Sequence, residues 1–191
     1  MIDGEQSRPD RPLPGGSRKS RRKGGEPVRP KVDALDKQLI GLFSDDGRTA
    51  LADAAERAGV STPTARSRLR NLVDHGVIRI AGLIDPFRVR GLTVALVGLT
   101  LDKYKLEEKL EQIADLDAVS WAAVVTGRYD IVAEVVTTEG MAGLFHFLSV
   151  SLQNVGGIRA SEMFVVMKAS NKWVLPPRGI KREWAAPEPA E

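Results

Sequence analysis

The hydrophobic positions of this 191-residue chain follow two different periods. Between residues 33 and 76, apolar side chains return every three or four positions, which is typical of amphipathic helices. From residue 92 to residue 169, short apolar runs of strand length alternate with two further helical patterns. The pattern therefore predicts a helical first part and a mixed α+β second part.

Three helices are predicted in the first part. Apolar residues at helical spacing run from Leu35 to Phe43, and the polar stretch Asp45-Asp46-Gly47 ends that helix. A second helix begins near Leu51, and its alanine-rich face allows the next helix to cross closely. The third helix follows a tight turn at Gly59.

The start and the two faces of the third helix indicate a recognition helix of the helix-turn-helix type. Ser61 or Thr62 can cap the free N–H groups, and Pro63 suits the first helical turn, where no N–H partner is needed. The apolar residues of this helix fall on one side at spacings of four and three, while polar and basic residues point the other way. One face can pack against the domain and the other can enter a DNA groove.

The outward side chains of this helix are candidates for DNA contacts. Arg66 and Arg70 share a face at i and i+4 and suit phosphate or guanine contacts. Arg68 lies nearer the packed side and suits a structural or a phosphate contact. The full candidate set on this helix is Thr62, Thr64, Arg66, Ser67, Arg68, Arg70 and Asn71, with Thr64, Ser67 and Asn71 as possible base-edge readers. A solvated charged helix face is the alternative interpretation.

A β-prone segment follows the third helix. His75-Gly76 closes the helix with a glycine cap, and residues 77–84 have strand character. Three helices and a short β-segment describe a winged helix-turn-helix domain over residues 33–84, with residues 85–91 as a linker. Arg79, in the predicted wing, is a further candidate for a phosphate contact.

The second part, residues 92–169, has the order βαββαβ, which is that of the ferredoxin-like unit. In this unit both helices lie on one face of a four-stranded antiparallel sheet. The strands are too apolar to leave the other face in water, because an exposed apolar sheet is an association site. We therefore expect a second copy of the domain to cover it, so that the protein is at least a dimer.

Composition narrows the classes of function. The chain has no cysteine, which excludes disulfides and thiolate metal sites. No apolar run approaches the roughly 20 residues needed to span a bilayer, and no secretory signal pattern is present at the start. We therefore expect a cytoplasmic protein with no membrane partner.

The two ends of the chain differ from the middle. Residues 1–32 are rich in Pro, Gly, Arg and Lys, and are predicted to form a disordered basic arm that is either a solvated tail or an extra phosphate-binding segment. Net charge is +4 in residues 1–33 and −4 in residues 92–169, so the basic end suits a phosphate-bearing partner. Residues 170–191 are predicted to be a mostly disordered tail.

Sites for catalysis, metals and cofactors are not indicated. The sequence has no metal-ligand cluster, no phosphate-binding glycine loop and no nucleophile elbow. The two histidines, His75 and His146, suit a helix end and a surface or interface position. We therefore expect no cofactor, no metal and no catalytic residue.

These motifs together resemble the leucine-responsive regulatory protein/AsnC family, also called feast/famine regulators. The resemblance rests on the first helix from Leu35, the phrase Asp46-Gly47-Arg48, the recognition stretch with Gly76-Val77-Ile78 after it, and the βαββαβ order. It is strengthened by Thr126-Gly127-Arg128-Tyr129-Asp130 at the strand–strand turn, which resembles the turn where family members bind small effectors. The resemblance covers roughly residues 33–169.

The resemblance implies a transcriptional regulator that binds double-stranded DNA and responds to an amino acid or a related small metabolite. It further implies a homodimer formed through the sheets of the second domain, which in this family is called the RAM domain and is ACT-like, and higher assemblies of dimers. The implied effector residues are Gly127, Arg128, Tyr129, Asp130, Thr137 and Thr138. A glycine turn leaves N–H groups open to a carboxylate, and Asp130 could accept from an ammonium group; hairpin chemistry alone is the alternative.

Two other functions compete with this interpretation. An architectural DNA-binding protein without an effector is compatible with the basic arm. Sirohaem decarboxylases share the two-domain plan, but their tetrapyrrole chemistry needs well-placed histidines, and the chain has two. We therefore expect a regulator and not an enzyme.

Overall fold

The computed structural model describes residues 30–102 and 105–186, in two compact units that meet in the sequence at Arg79 and Ile80. Most of the predicted basic arm, residues 1–29, lies outside the described residues, as do residues 187–191. Within the described residues, no helix combines the length and the apolar character required to cross a bilayer.

The first unit contains the three predicted helices, α1 (Ala34–Asp45), α2 (Leu51–Arg57) and α3 (Thr62–Asp74). Leu39, Ala54, Ala55 and Ala65 are almost fully buried, and they form its core together with Phe43. The alanines keep side-chain volume small where the helices meet, so the backbones can approach closely. The helix-turn-helix prediction is confirmed.

The predicted wing is wrong. Residues 78–83 carry no secondary structure, and Ile78 packs its side chain against the helical core. A wing is a hairpin and needs two strands, whereas this sequence supplies a single β-prone segment. Ile84 instead forms an isolated antiparallel bridge with Val174, and Pro86 is buried. The predicted linker at residues 85–91 therefore begins inside the second unit, and the division between the units comes earlier.

The second unit has the predicted βαββαβ order. Its strands pair in the antiparallel order β2-β3-β1-β4, which is the ferredoxin-like arrangement. The elements are β1 (Thr93–Leu101), α4 (Leu106–Ala114), β2 (Val119–Val124), β3 (Ile131–Thr137), α5 (Gly140–His146), α6 (Leu152–Val155) and β4 (Ile158–Val165). A π-helical turn, Phe147–Ser151, joins α5 to α6.

The two faces of the sheet have different coverings. Alternate residues of the central strands β1 and β3, such as Val97 and Ala133, are fully buried in a core with the helices. The opposite face, here called the open face, has Trp121 and Phe164 exposed at its two edge strands. Glu134 is buried on this face, where its carboxylate accepts from the hydroxyl of Ser120 and pairs with Lys172.

A helix lies where a disordered tail is predicted. Helix α7 (Arg178–Ala185) buries Ile180 against Val94 and Val136 of the sheet. Arg178 pairs with Asp115 at 3.0 Å. Proline and charged residues dominate the composition of this stretch, so its few apolar anchors give no periodic signal. The prediction of disorder fails because the anchoring partners are distant in sequence.

Candidate functional site

Helix α3 begins at a glycine turn and a capping serine. Gly59 adopts φ +67°, a left-handed conformation that side-chain-bearing residues rarely take. The Ser61 hydroxyl accepts from the backbone N–H of Thr64 at 3.4 Å and contacts the Thr64 hydroxyl at 2.8 Å. Pro63 occupies the first turn, where its missing N–H costs nothing. The turn and the cap fix where α3 starts and which side chains face outward.

The outward face of α3 is polar and basic. Ala65 and Leu72 are buried on the other side of the helix. Among the described residues, neither Arg66 nor Arg70 forms an ion pair within 4 Å. The exposed predicted residues are Thr64, Arg66, Ser67, Arg70 and Asn71, and Thr62 is half-buried. This face combines two available guanidinium groups with three short polar side chains.

Arg68 is engaged inside the first unit. Its guanidinium group lies 2.7 Å from a carboxylate oxygen of Asp33 and 3.3 Å from one of Asp36. These two aspartates form the capping box of α1, in which each carboxylate accepts from the other's backbone N–H. The pKa of Asp33 lies below its ordinary value. The main cause is the hydrogen bond from the backbone N–H of Asp36, and the second is the hydrogen bond from the Arg68 side chain. Arg68 therefore links α3 to the start of α1. Of the two contacts expected for it from the sequence, structural or to phosphate, the described residues show the structural one.

Arg79 is exposed in a segment that has no strand. Because the predicted wing is absent, no hairpin presents this side chain in a fixed direction. At the end of α3, Gly76 adopts φ +69° and the ring nitrogen Nδ1 of His75 lies 2.8 Å from the carbonyl oxygen of Asn71. These contacts close the helix as predicted.

The turn before β3 is held by backbone bonds and by one carboxylate. Gly127 has φ +125°, which favours glycine there. The N–H of Val125 donates to the carbonyl of Asp130 at 3.1 Å. An oxygen of the Asp130 carboxylate accepts from the N–H of Leu101 at 2.7 Å. Asp130, which the sequence suggests as an acceptor for an ammonium group, thus uses one carboxylate oxygen to hold the turn against β1.

Tyr129 lies flat over β1 on the open face. A side chain at Gly98 would meet the Tyr129 ring at 2.6 Å, so the absence of a Cβ atom makes room for it. The ring packs edge to face against Phe164, with 6.5 Å between centroids. The Tyr129 hydroxyl donates to the carboxylate of Glu162, which raises the pKa of Tyr129.

Arg128 completes a charged cluster at this place. Its guanidinium group lies 5.4 Å from the centroid of the Tyr129 ring and 2.8 Å from a carboxylate oxygen of Glu162. A cleft of about 300 Å³ opens beside the cluster. It is lined by Thr100, Arg128, Tyr129, Ala160, Ser161 and Glu162.

Glu162 is missed by the sequence analysis. It lies 33 residues after Tyr129 and faces the cleft because β4 pairs with β1 at the register Gly98–Glu162. A charged residue in the middle of the last apolar strand is the signal that could have indicated it, since the alternation of β4 puts it on the open face.

Thr137 and Thr138 lie at the other end of β3, apart from the Gly127 turn. The Thr137 hydroxyl accepts from the N–H of Glu139 at 3.1 Å, and the Thr138 hydroxyl donates to the carboxylate of Glu183 on α7 at 2.9 Å. They border a separate cavity of about 160 Å³ under α7. The predicted effector residues therefore form two groups, which a single chain does not bring together.

In the part of the chain that the structure describes, no group of three or more histidine, cysteine, aspartate or glutamate side chains is arranged to hold a metal ion. The carboxylates described above are instead engaged in ion pairs, caps and backbone contacts, as for Asp33, Asp36, Asp130 and Glu162.

Comparison with known proteins matches both units to described families. Residues 32–73 match the AsnC-type helix-turn-helix domain, and residues 94–172 match the Lrp/AsnC ligand binding domain. An uncharacterised HTH-type transcriptional regulator from Pyrococcus furiosus is 31% identical over 74% of this chain and 95% of its own length. The regulatory protein AsnC of Haemophilus influenzae is 29% identical over 72% of this chain and 92% of its own length.

A solved structure extends the similarity to three dimensions. The structure of Escherichia coli AsnC superposes with a TM-score of 0.62 at 25% sequence identity, and the match covers 78% of this chain and all of that one. The two matched family domains cover parts of both units, and α7 lies beyond the end of the matched ligand binding domain.

Proposed function

This chain belongs to the Lrp/AsnC family of helix-turn-helix transcriptional regulators, and we propose that it reads DNA with the outward face of α3. Arg66 and Arg70 supply affinity through phosphate or guanine contacts, while Thr64, Ser67 and Asn71 contact base edges. The observation that carries the proposal is that α3 has a buried apolar side and a polar, basic side with two unpaired guanidinium groups among the described residues.

Arg68 has a different role in this proposal. Since its guanidinium group pairs with both aspartates of the α1 capping box, it orients α3 and does not itself touch a base. Arg79 and Thr62 contribute phosphate contacts at most, because one lies in an irregular segment and the other in the first turn of α3.

We further propose that the working unit is a dimer formed through the open faces of two sheets, alone or within a higher assembly of dimers. Trp121 and Phe164 remain 44% and 47% exposed at the edges of this face, and such aromatic area favours association. A two-fold axis through this contact would relate two α3 helices and match them to a palindromic operator.

A small-molecule effector completes the proposal. The ligand binding domain supports a response to an effector, and we propose an amino acid or a related metabolite. It contacts the Gly127–Asp130 turn, and Thr137 and Thr138 come from a neighbouring copy, because one chain keeps these two groups apart. Because we propose that the protein acts on DNA, we also propose that it is located in the cytoplasm.

The DNA part is tested by fluorescence anisotropy with an operator fragment over a series of salt concentrations. We expect the double variant Arg66→Ala/Arg70→Ala to bind about 10- to 100-fold more weakly and to lower the salt slope by about 1 to 2. The matched control is Arg159→Ala, an exposed arginine on β4, which should bind like the unchanged protein. Unchanged affinity and unchanged slope in the double variant would refute the assignment of α3.

A further inference from the structure

We infer that the basic arm is a second DNA-binding element, which contacts the phosphates beside the groove that α3 occupies. This inference rests on the proposed role of α3 and adds a contact outside both family matches, the first of which begins at residue 32. Two observations support it. One is the place where the arm joins the first unit, and the other is the charge that the arm brings there.

The arm joins the first unit next to α3. Asp33 is the last residue before α1, and the chain on its N-terminal side is the arm. Its carboxylate lies 2.7 Å from the guanidinium group of Arg68, which is on α3 between Arg66 and Arg70 in the sequence. The N–H of Asp36 also donates to this carboxylate at 2.9 Å. The arm therefore leaves the unit at a fixed point beside the proposed recognition helix.

The charges at this junction are compatible with a nearby phosphate. Lys31 is exposed, and it forms no ion pair within 4 Å in the part of the chain that the structure describes. Asp33 and Asp36 would repel a phosphate, but Arg68 pairs with both and compensates part of their negative charge. The junction thus places an available ammonium group where the arm begins.

The charge of the arm is concentrated in one run, here called the basic run. Five of the six residues from Arg18 to Lys23 are basic, and no acidic residue occurs between Asp10 and Glu26. Such a run binds phosphates without reading sequence, because each Lys or Arg that neutralises a phosphate releases a condensed counterion.

Duplex DNA suits the basic run better than the protein's own acidic unit does. Residues 92–169 carry a net charge of −4 spread over the whole second unit. Duplex DNA carries one negative charge per about 1.7 Å of its axis. The greater charge density of DNA favours it as the partner of five adjacent cations.

The distance from the junction to the basic run suits the neighbouring groove. Lys23 lies ten positions before Asp33, and ten residues of extended chain span at most about 33 to 36 Å. The minor groove adjacent to the major groove is about half a helical turn away, or about 17 Å along the axis. An N-terminal arm joined to a helix-turn-helix unit can lie in that groove. The basic run can therefore reach its phosphates while α3 stays in the major groove.

The first test is fluorescence anisotropy of the full chain over a series of salt concentrations, with an operator duplex and an unrelated duplex. The arm variant is Arg18→Gln/Lys19→Gln/Arg21→Gln/Arg22→Gln/Lys23→Gln. We expect it to bind both duplexes at least about tenfold more weakly and to lower the salt slope by about 3 to 4.5, since each phosphate contact contributes about 0.9. The preference for the operator should remain, because phosphate contacts carry no sequence information.

A matched control keeps the charge at the same positions. In Arg18→Lys/Lys19→Arg/Arg21→Lys/Arg22→Lys/Lys23→Arg, every basic residue is replaced by the other basic type. We expect its affinity to stay within about threefold of the unchanged protein and its salt slope to stay the same, because both side chains neutralise a phosphate.

The position of the arm on DNA is tested by cleavage from one tethered iron chelate. The chain has no cysteine, so Ser20→Cys places a single thiol in the basic run, to which an iron–EDTA group can be attached. We expect the hydroxyl radicals formed there to cut the duplex within about one helical turn of each patch that α3 protects. The unchanged protein treated with the same reagent is the control, because it has no thiol to label.

Three results would overturn this inference. They are an unchanged salt slope in the arm variant, tighter DNA binding by that variant, which would place the basic run on the acidic second unit, and cleavage spread evenly along the duplex. In each case, weaker binding by Arg66→Ala/Arg70→Ala would leave the assignment of α3 standing. If that double variant binds like the unchanged protein, the proposed role of α3 fails, whatever the arm variant shows.

Discussion

Single residues decide how much of α3 is available to DNA. Of the three arginines on this helix, Arg68 is held by two aspartates of α1, while Arg66 and Arg70 point outward. The sequence shows that Arg68 lies nearer the packed side, and it therefore predicts either a structural or a phosphate contact. It does not give the partner, because Asp33 is 35 positions away and the capping box that orients it forms only when α1 is in place.

The Asp33–Arg68 contact makes the stability of the first unit depend on pH. Hydrogen bonds from the Asp36 N–H and from Arg68 hold the pKa of folded Asp33 below its ordinary value of 3.8. Stability from this group is therefore fully present above the unfolded pKa and is lost as pH falls through the folded pKa. We expect Asp33→Asn to melt at a lower temperature than the unchanged protein at pH 7, and this difference to shrink as pH falls below 3.8 and through the lower pKa of folded Asp33.

Thermal melting followed by circular dichroism from pH 7 to pH 3 checks this prediction. Asp53→Asn, in the first turn of the neighbouring helix α2, is the control for a general loss of negative charge. A difference between Asp33→Asn and the unchanged protein that stays constant over the whole range would contradict the proposed contact.

Secondary-structure elements show where local patterns suffice and where they fail. Periodicity predicts α1, α2, α3 and the order of the four strands, because each of these elements buries one face over several turns or residues. It fails for the wing, since a β-prone segment needs a partner strand. It also fails for α7, whose burial rests on Ile180 and on ion pairs with residues about 60 positions earlier.

Helix α7 should stabilise the second unit through Ile180. This side chain is 3% exposed and covers Val94 and Val136, so its removal leaves an apolar gap above the sheet. We expect Ile180→Ala to lower the free energy of unfolding by about 2–5 kcal/mol, nearer the lower limit because a short helix can shift to fill the space. Urea unfolding monitored by tryptophan fluorescence measures the change.

The chain offers a matched control for this prediction. Ile80 is 47% exposed, and Ile80→Ala should change the free energy of unfolding by less than about 0.5 kcal/mol. Equal effects of the two substitutions would show that α7 does not pack on the sheet as described.

For the protein as a whole, the proposed function depends on how copies of the chain associate. The order of elements predicts the ferredoxin-like sheet, and its apolar composition predicts a covered open face, but the sequence does not show how much of that face the chain covers itself. The segment from Lys172 to α7 covers Glu134, Val94 and Val136, while Trp121 and Phe164 stay exposed. The proposed dimer contact is therefore narrower than the whole face.

Association through this remaining surface is testable with two equivalent substitutions. Phe164 and Phe145 are 47% and 71% exposed, on β4 of the open face and on α5 respectively. We expect Phe164→Arg to weaken dimer formation at least about tenfold by placing a charge in an apolar contact, and Phe145→Arg to leave the dimer intact. Sedimentation equilibrium measures both, and a dimer that resists Phe164→Arg but not Phe145→Arg would assign the contact to α5 instead.

We propose that two α3 helices, held at a fixed separation by a dimer, read one face of the DNA. Hydroxyl-radical footprinting on an operator selected from random DNA measures this arrangement. We predict two protected patches on one face of the duplex, about 10 to 10.5 base pairs apart or a multiple of that spacing, and both should disappear with Arg66→Ala/Arg70→Ala. A single patch, uniform protection, or two patches that persist in this variant would contradict the claim.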